Sequence, residues 1–288
     1  MQSLISGQLE SRLRRLSAWR SLQSKTSASR QFVHSAPSAQ SAVDAVPDAW
    51  ASRLPPPLAD VKAGAAELFE DPRMVWAFDR LGGLTDKRVL ELGPLEGGHS
   101  YMAQRAGATH VTAVEANKAA FLKCLVTKEL LGLDRCSFYC GDVVEYLSAD
   151  PEPVDVCVAC GILYHMTEPV RLIELISRSA SQLVMWTHFY DDHVRTNRIL
   201  SRRIGPAEEV QHGGFSHRVH RHRYGYDRFL TGGGFCAGTR PYSSWLPREE
   251  LFRSLEHFGW GSIEVAFEDK FHSGGPSLAL VASRDPAQ

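Results

Sequence analysis

Apolar residues in this chain occur in short runs, and from residue 88 onward stretches with the 3.6-residue spacing of amphipathic helices separate these runs. Glycine or polar residues bound each run, and the runs are short, so we predict strands. Because strands that alternate with helices form parallel sheets covered on both faces, the pattern predicts an α/β fold. The strands of this region are predicted at residues 88–92, 111–115, 137–140, 154–159 and 183–186.

The segments outside this region complete the predicted architecture. Helical spacing indicates helices at residues 59–81 and 248–258, and two further apolar runs, 262–267 and 277–282, add strands six and seven. Arg, His and Gly residues interrupt the periodicity over residues 191–245, which we interpret as an irregular insertion after strand five. We therefore predict a Rossmann-like, seven-stranded, mostly parallel sheet with helices on both faces, an N-terminal helical extension and this insertion.

The composition is that of an ordinary globular protein. Of 288 residues, 43% are hydrophobic and 23% charged, and the net charge of −1 gives no overall attraction to nucleic acid or membranes. No apolar stretch reaches the roughly eighteen residues of a membrane-spanning helix, so we predict no transmembrane segment. Cys157 and Cys160 lie on a predicted strand, where residues three apart point to opposite faces. We therefore predict no metal site and a reducing, cytoplasmic location.

Residues 1–46 differ in composition from residues 47–288. Within the first forty residues, six basic side chains stand against one acid, Glu10, and apolar residues recur at helical spacing. This pattern is typical of an organellar transit peptide or of a helix lying on an anionic membrane surface, and a solvated extension is the alternative. We predict a basic, Ser/Arg-rich extension at 1–46 and one functional domain at 47–288.

Acidic residues and glycines mark the ends of the first three predicted strands. Glu91, Gly93 and Gly97 follow one another at the end of strand one. Glu115 ends strand two, and Asp142 follows strand three. Glycines in a strand-to-helix turn let the backbone approach a ligand closely, and open α/β sheets bind ligands at the carboxyl ends of their strands. We therefore predict a nucleoside-type ligand at this edge, although an acid after a strand can instead cap the next helix.

Four segments resemble the successive motifs of class I S-adenosylmethionine (SAM)-dependent methyltransferases: residues 89–99, 114–117, 140–142 and 160–165. The last of them reads Cys-Gly-Ile-Leu-Tyr-His and is similar to a bacterial subgroup that includes tRNA wobble-uridine-modifying relatives. The first departs from the family at Leu95, where a central glycine is usual. The resemblance implies a Rossmann-like fold, SAM as the cofactor and methyl transfer as the activity.

The resemblance also implies where SAM would be held. Glu91 would lie near the methionine ammonium, and Gly161 near the sulfonium. Glu115 would hold the ribose, and Asp142 with Val143 the adenine. The implied cofactor-binding positions are Glu91, Gly93, Gly97, Glu115, Ala116, Asp142, Val143 and Gly161.

Candidate catalytic residues follow predicted strands four and five. Methyl transfer is an in-line displacement, so much of its rate can come from holding the acceptor at attack distance. A general base is needed only where the acceptor must lose a proton. The side chains suited to that role are His165, His188, Tyr190 and Asp191. Alternatively, His165 packs against or caps the helix that follows it.

The segment from Arg195 to Arg228 combines eight arginines with histidines and tyrosines. Arginine with aromatic side chains is typical of phosphate or nucleic-acid recognition, so the segment predicts contact with the acceptor, with RNA as one candidate. The alternative is a solvated lid whose charges pair with acids such as Glu208 and Glu209. The acceptor therefore stays open between a small metabolite, a glycan precursor and an RNA base.

Two other functions are compatible with these residues. A non-catalytic SAM-binding regulatory or scaffold protein would keep the same strand-end acids. A nicotinamide-dependent oxidoreductase would share the fold class, but the chain has no G-x-G-x-x-G after strand one, which disfavours it. The histidine spacings within 212–222 are weak evidence for a metal, and the sequence does not indicate an oligomeric state.

Overall fold

The computed structural model describes residues 32–46, 49–224, 238 and 240–284. The chain divides into two units, Met1–Ser41 and Ala42–Gln288. Of the basic N-terminal stretch, residues 1–31 lie outside the described residues. The division of the chain at residue 46 therefore stays a prediction.

The described strands, in chain order, are β1 (Arg88–Leu92), β2 (His110–Glu115), β3 (Cys136–Cys140), β4 (Val154–Cys160), β5 (Ala180–His188), β6 (Ile204–His212), β7 (Phe215–Arg223), β8 (Tyr242–Trp245), β9 (Trp260–Asp269) and β10 (Ser277–Arg284). Seven of them form one sheet in the order β3-β2-β1-β4-β5-β10-β9. Strand β10 is antiparallel to both of its neighbours, and the other pairs in this sheet are parallel. This topology confirms the predicted Rossmann-like, mostly parallel sheet.

The described α-helices are α1 (Ala39–Asp44), α2 (Pro72–Arg80), α3 (Gly98–Arg105), α4 (Lys118–Leu131), α5 (Val143–Ser148), α6 (Pro169–Ser179) and α7 (Arg248–His257). Helices cover both faces of the large sheet. Alternate residues of a strand point to opposite sides, so neighbouring residues of β1 pack with different helices. Leu90 and Leu92 of β1 pack with α5, α6 and α7, whereas Val89 packs with α2 and α3. None of the described helices has both the length and the apolar character that crossing a bilayer requires.

The helix predicted at residues 59–81 is wrong in its first half. Only Pro72–Arg80 is helical, and this helix begins after Asp71, whose carboxylate accepts a backbone N–H of the first turn. Upstream, the N–H groups of residues 64–66 donate to the carbonyls of residues 51–52. An α-helix requires each N–H to donate to the carbonyl four residues back. The N–H groups of residues 64–66 bond to a distant segment instead, so this stretch is not helical despite its helical spacing.

The irregular structure predicted for residues 191–245 is also wrong. Strands β6, β7 and β8 form a three-stranded antiparallel sheet within it. In β7, Phe215, His217 and Val219 are buried, and the residues between them are exposed. Histidine occupies inward positions of this strand, so an assignment that treats histidine as polar misses the alternation that marks a strand.

Candidate active site

The turn after β1 contains three residues with left-handed backbone. Gly93 has φ +73°, Leu95 φ +56° and Gly97 φ +80°. A left-handed conformation costs a non-glycine residue about 1–2 kcal/mol, so the leucine at position 95 strains the loop. The Leu95 N–H donates to Glu115 Oε2 at 3.0 Å, and this hydrogen bond helps to hold the strained residue. The departure from the family pattern at Leu95 is thus accommodated by the backbone.

Glu91 lies at the base of this turn and is 2% exposed. Ser100 Oγ donates to its Oε2, and His99 Nδ1 is 3.7 Å from its Oε1. Burial raises the pKa of Glu91, although His99 and Ser100 oppose the rise. A buried carboxylate with few donors of its own attracts a positively charged group.

Asp71 and Arg73, which sequence reasoning missed, complete a charged network around Glu91. His99 Nε2 lies 2.9 Å from Asp71 Oδ2, and the Arg73 guanidinium donates to both Asp71 oxygens. Burial alone would raise the pKa of Asp71, but the hydrogen bonds from His99 and Arg73 hold that pKa well below its usual range. The Arg73 guanidinium also lies over the Trp186 ring, 4.5 Å from its centroid. Asp71-Pro72 is recognisable in sequence as a helix start, but nothing there signals its contact with His99.

The other predicted nucleoside-binding positions lie at the ends of β2 and β3. Glu115 is buried, and its Oε1 accepts the Asn117 N–H at 2.8 Å. The exposed Asp142 caps α5, because its Oδ1 accepts the Val144 N–H at 2.8 Å. Its role in helix capping is therefore observed, and its role in adenine binding stays a prediction. Ala116 is exposed and Val143 is buried beside these two acids.

Gly161 follows β4 and faces open space. It has φ +87°, and a Cβ placed on it would meet, among the described residues, only Tyr164 Oη, at 3.8 Å. A Cβ on Gly93, in the turn after β1, would lie 3.4 Å from the Ile162 side chain, next to Gly161. The two glycines thus bring the ends of β1 and β4 together and leave room beside the Tyr164 hydroxyl.

A group of aromatic and histidine rings lies beyond β4 and β5, and we call it the ring cluster. Tyr164 and His188 have ring centroids 4.5 Å apart, and His188 stacks on Trp245 at 5.3 Å with an interplanar angle of 11°. The small sheet contributes two of the rings, and a third, Tyr224, directly follows β7, which explains why sequence reasoning did not assemble the cluster. Its members are Tyr164, His165, Trp186, His188, His222, Tyr224, Trp245 and His272.

His165, His188 and His222 of the ring cluster are neutral at neutral pH. Burial, reinforced by neighbouring histidines, lowers the pKa of His165 to about 3 and that of His188 to about 4. His188 Nδ1 lies 2.8 Å from the Gly275 carbonyl oxygen, which only accepts, so Nδ1 carries the proton and Nε2 the lone pair. His165 Nδ1 lies 2.9 Å from Tyr224 Oη, a group that can donate or accept. The hydrogen bond of His188 therefore identifies Nε2 as its basic nitrogen, whereas the hydrogen bond of His165 does not identify its tautomer.

The remaining candidate bases, Tyr190 and Asp191, are held by other partners. The Tyr190 ring stacks on His220 with centroids 3.4 Å apart, and its hydroxyl donates to Asp192 at 3.0 Å. Asp191 caps a short 3₁₀ helix and accepts from the ring of His193 at 2.7 Å. The structure therefore brings His165 and His188 together and gives Tyr190 and Asp191 structural hydrogen bonds.

Several arginines of the basic segment are neutralised by acids. Arg221 pairs with Glu208 at 2.9 Å, and Arg218 pairs with Glu249 and Glu250. The Arg221 pair with Glu208 is one that the alternative of a solvated lid predicts. Residues 225–228 of the segment lie outside the described residues, and contact with RNA stays a prediction. An open cleft of about 560 Å³ is lined by Arg198, Ile199, Arg202 and Arg203.

Asp71, His99 and Cys160 bring potential metal-ligating atoms within 4.8 Å of one another. The Asp71 carboxylate already accepts from Arg73 and His99, and the guanidinium of Arg73 opposes a nearby cation. Burial raises the pKa of Cys160 to about 12, so its thiol is protonated at neutral pH. This group is therefore better suited to anchoring the segment before β1 than to holding a metal.

Comparison with known proteins identifies the fold. No protein-family model and no curated protein matches the sequence. The N-terminal domain of EvdMO1, solved with S-adenosylhomocysteine (SAH) bound, is similar, with TM-score 0.63, 22% identity, and coverage of 85% of this chain and 94% of that one. A SAM-dependent methyltransferase from Mesorhizobium loti gives TM-score 0.51, 13% identity, and coverage of 75% and 100%. At these identities the likeness shows the fold, and the class I methyltransferase fold implied by the resemblance is confirmed.

Proposed function

We propose that this protein binds SAM at the carboxyl edge of its large sheet and transfers the methyl group to an acceptor held by the ring cluster. The observation that carries the proposal is the left-handed turn from Gly93 to Gly97, set between two buried carboxylates, Glu91 and Glu115. Open α/β sheets bind nucleosides at such an edge. When bound, SAM supplies an electrophilic methyl group on a sulfonium.

The residues at this edge fit the parts of SAM. Glu91 is a buried acceptor suited to the methionine ammonium, and Arg73 offers a guanidinium to the methionine carboxylate. Glu115 suits the ribose hydroxyls, and we assign the adenine to Asp142 with Val143, as the resemblance implies. Gly161 leaves space at the end of β4 that a side chain would fill. These assignments rest on the donors, acceptors and open space found at each position.

We assign the general base to His188. Its Nδ1–H is tied to the Gly275 carbonyl, so Nε2 is free to take a proton from an acceptor hydroxyl. The neighbouring His165, bonded to Tyr224, positions the acceptor side of the site. Orientation of the acceptor by the surrounding rings would supply the remainder of the rate.

A small acceptor is favoured over RNA. The rings are buried or half-buried, which suits a compact molecule, and several nearby arginines are already paired with acids. The EvdMO1 N-terminal domain was also crystallised in the presence of SAH and D-fucose, which supports a glycan-type acceptor among the small molecules. The likeness to tRNA wobble-uridine-modifying relatives keeps an RNA base as the second candidate.

Two measurements test the proposal. Isothermal titration with SAM, SAH and NAD should show uptake of the first two only, and uptake of NAD alone would contradict the proposal. SAH formation from SAM should then be followed with neutral glycosides, and with unmodified tRNA as the second acceptor class. A regulatory SAM-binding protein would take up SAM in the first measurement and form no SAH in the second.

A further inference from the structure

Three buried polar atoms of the ring cluster have no hydrogen-bond partner. They are both ring nitrogens of His222 and the indole Nε1 of Trp245, considered within the part of the chain that the structure describes. His222 is 6% exposed and Trp245 2% exposed, and their ring centroids are 5.1 Å apart. Buried polar atoms are nearly always hydrogen-bonded in folded proteins, because each unsatisfied one costs free energy. A pair of side chains left in this state points to a ligand that satisfies them.

A second histidine of β7, His220, has a hydrogen-bond partner for its ring. His220 is as buried as His222, but its Nδ1 lies 3.0 Å from the Gly205 carbonyl oxygen and its ring stacks on Tyr190. His222 instead lies between Trp245 and Tyr224, whose centroid is 5.0 Å away. The contrast between two histidines of β7 indicates that His222 is not placed for the stability of the small sheet.

The missing partners define the chemistry of the ligand. A neutral imidazole offers one donor and one acceptor, and an indole offers one donor. A hydroxyl group both donates and accepts, so one hydroxyl can satisfy a ring nitrogen of His222 in either tautomer, and a neighbouring hydroxyl can accept from the indole N–H of Trp245. The rings of Tyr164, His188 and Trp245 pack against one another and form an apolar wall beside these atoms. Among the described residues, no carboxylate is a member of the cluster that could hold an amine.

We propose that His222 and Trp245 bind adjacent hydroxyl groups of an uncharged pyranose ring and so determine which acceptor is methylated. This inference rests on the proposed methyl transfer, since it names the class of molecule that would be methylated. The hydroxyl pair anchors the sugar edge against the small sheet, and the apolar wall of rings borders the sugar. A further hydroxyl of the same sugar can then face His188.

The first test compares the stability of ligand-free variants. His222→Phe should keep or raise the melting temperature, because it removes two unsatisfied atoms while preserving the ring. The matched variant His220→Phe should lower the melting temperature, because it removes a hydrogen bond. An equal loss of stability in both variants would mean that His222 has a structural role, and would overturn the proposal.

The second test measures ligand binding with SAH-saturated protein. Methyl hexopyranosides and 6-deoxyhexopyranosides should raise the melting temperature of the wild type and of His220→Phe, but not that of His222→Phe. Methyl glucosaminide, which is cationic, and tetrahydropyran, which lacks hydroxyls, should raise none of them. The proposal is wrong if no glycoside binds, if tetrahydropyran or the aminosugar binds as well, or if the shift survives in His222→Phe. SAH binding by the wild type is measured beforehand. If the wild type does not bind SAH, the proposed methyl transfer is contradicted instead.

Discussion

His99 Nε2 lies 2.9 Å from Asp71 Oδ2, and this contact ties the segment before β1 to the helix that follows the first motif. The opposite ring nitrogen of His99 faces Glu91, the acid expected to meet the methionine ammonium. Arg73, two residues after Asp71, extends the same network to Trp186 at the end of β5. The segment before the sheet is therefore joined to Glu91 at the proposed cofactor side of the site.

Replacing Asp71 by Asn should cost stability and cofactor affinity together. Removing one partner of a buried ion pair typically costs about 3 kcal/mol, because the other charge stays buried without its partner. We expect a loss of this order in urea unfolding, and weaker SAM binding by titration because Arg73 is no longer held. Glu67→Gln is the control, since Glu67 forms an exposed pair with Arg53 and should cost less than about 1 kcal/mol. Equal losses in the two variants would contradict the role given to Asp71.

Asp142 should show separable roles in helix capping and in cofactor binding. Asp142→Ala removes the cap of α5 and should cost about 1 kcal/mol of stability as well as SAM affinity. Asp142→Asn keeps a good cap and removes the charge, so its stability should match the wild type while its SAM affinity falls. Chemical unfolding and titration calorimetry of both variants separate the two effects. If Asp142→Asn binds SAM with wild-type affinity, Asp142 acts only as a helix cap.

The strand ends were predictable because they depend on local pattern. Short apolar runs, a following acid and a following glycine are all visible within a few residues, and Glu91, Glu115 and Gly161 lie at the strand ends where the sequence puts them. The left-handed backbone at Leu95 was not visible, since leucine rarely adopts it and neighbouring residues impose it. The local sequence pattern therefore predicts which residues lie at the carboxyl edge of the sheet, but not the strained backbone of Leu95.

The ring cluster was not predictable, because it depends on contacts between distant parts of the chain. His188 meets Trp245 only because the small sheet folds back over the end of β5. Nothing within a few residues of Trp245 or of Asp71 announces these partners. His188 ends β5, and Tyr190 and Asp191 follow it closely in the sequence. Only the structure shows that Tyr190 and Asp191 form hydrogen bonds with other partners than His188 does.

The neutral histidines should make stability fall on the acid side of neutrality. Burial lowers the pKa of His188 and of His222 from 6.5 to about 4, and the unfolded chain keeps the higher value. Between these limits the unfolded state binds more protons, so the free energy of unfolding falls as the pH falls, by up to about 1.4 kcal/mol per pH unit for each histidine. Above pH 6.5 their contribution is constant. Urea unfolding across this range should show a shallower slope for His222→Phe, and an unchanged slope for His34→Gln, which alters an exposed histidine.

Replacing His188 by Gln should abolish proton removal and spare cofactor binding. Glutamine can still donate to the Gly275 carbonyl but has no basic nitrogen, so we expect SAH formation with the best glycoside acceptor to fall about 100-fold or more, with unchanged SAM affinity. His212→Gln is the matched control, because His212 pairs with Glu174 outside the ring cluster, and its turnover should stay near the wild-type value. If His188→Gln remains active while Tyr190→Phe loses turnover, the base is Tyr190, and the tautomer argument for His188 fails.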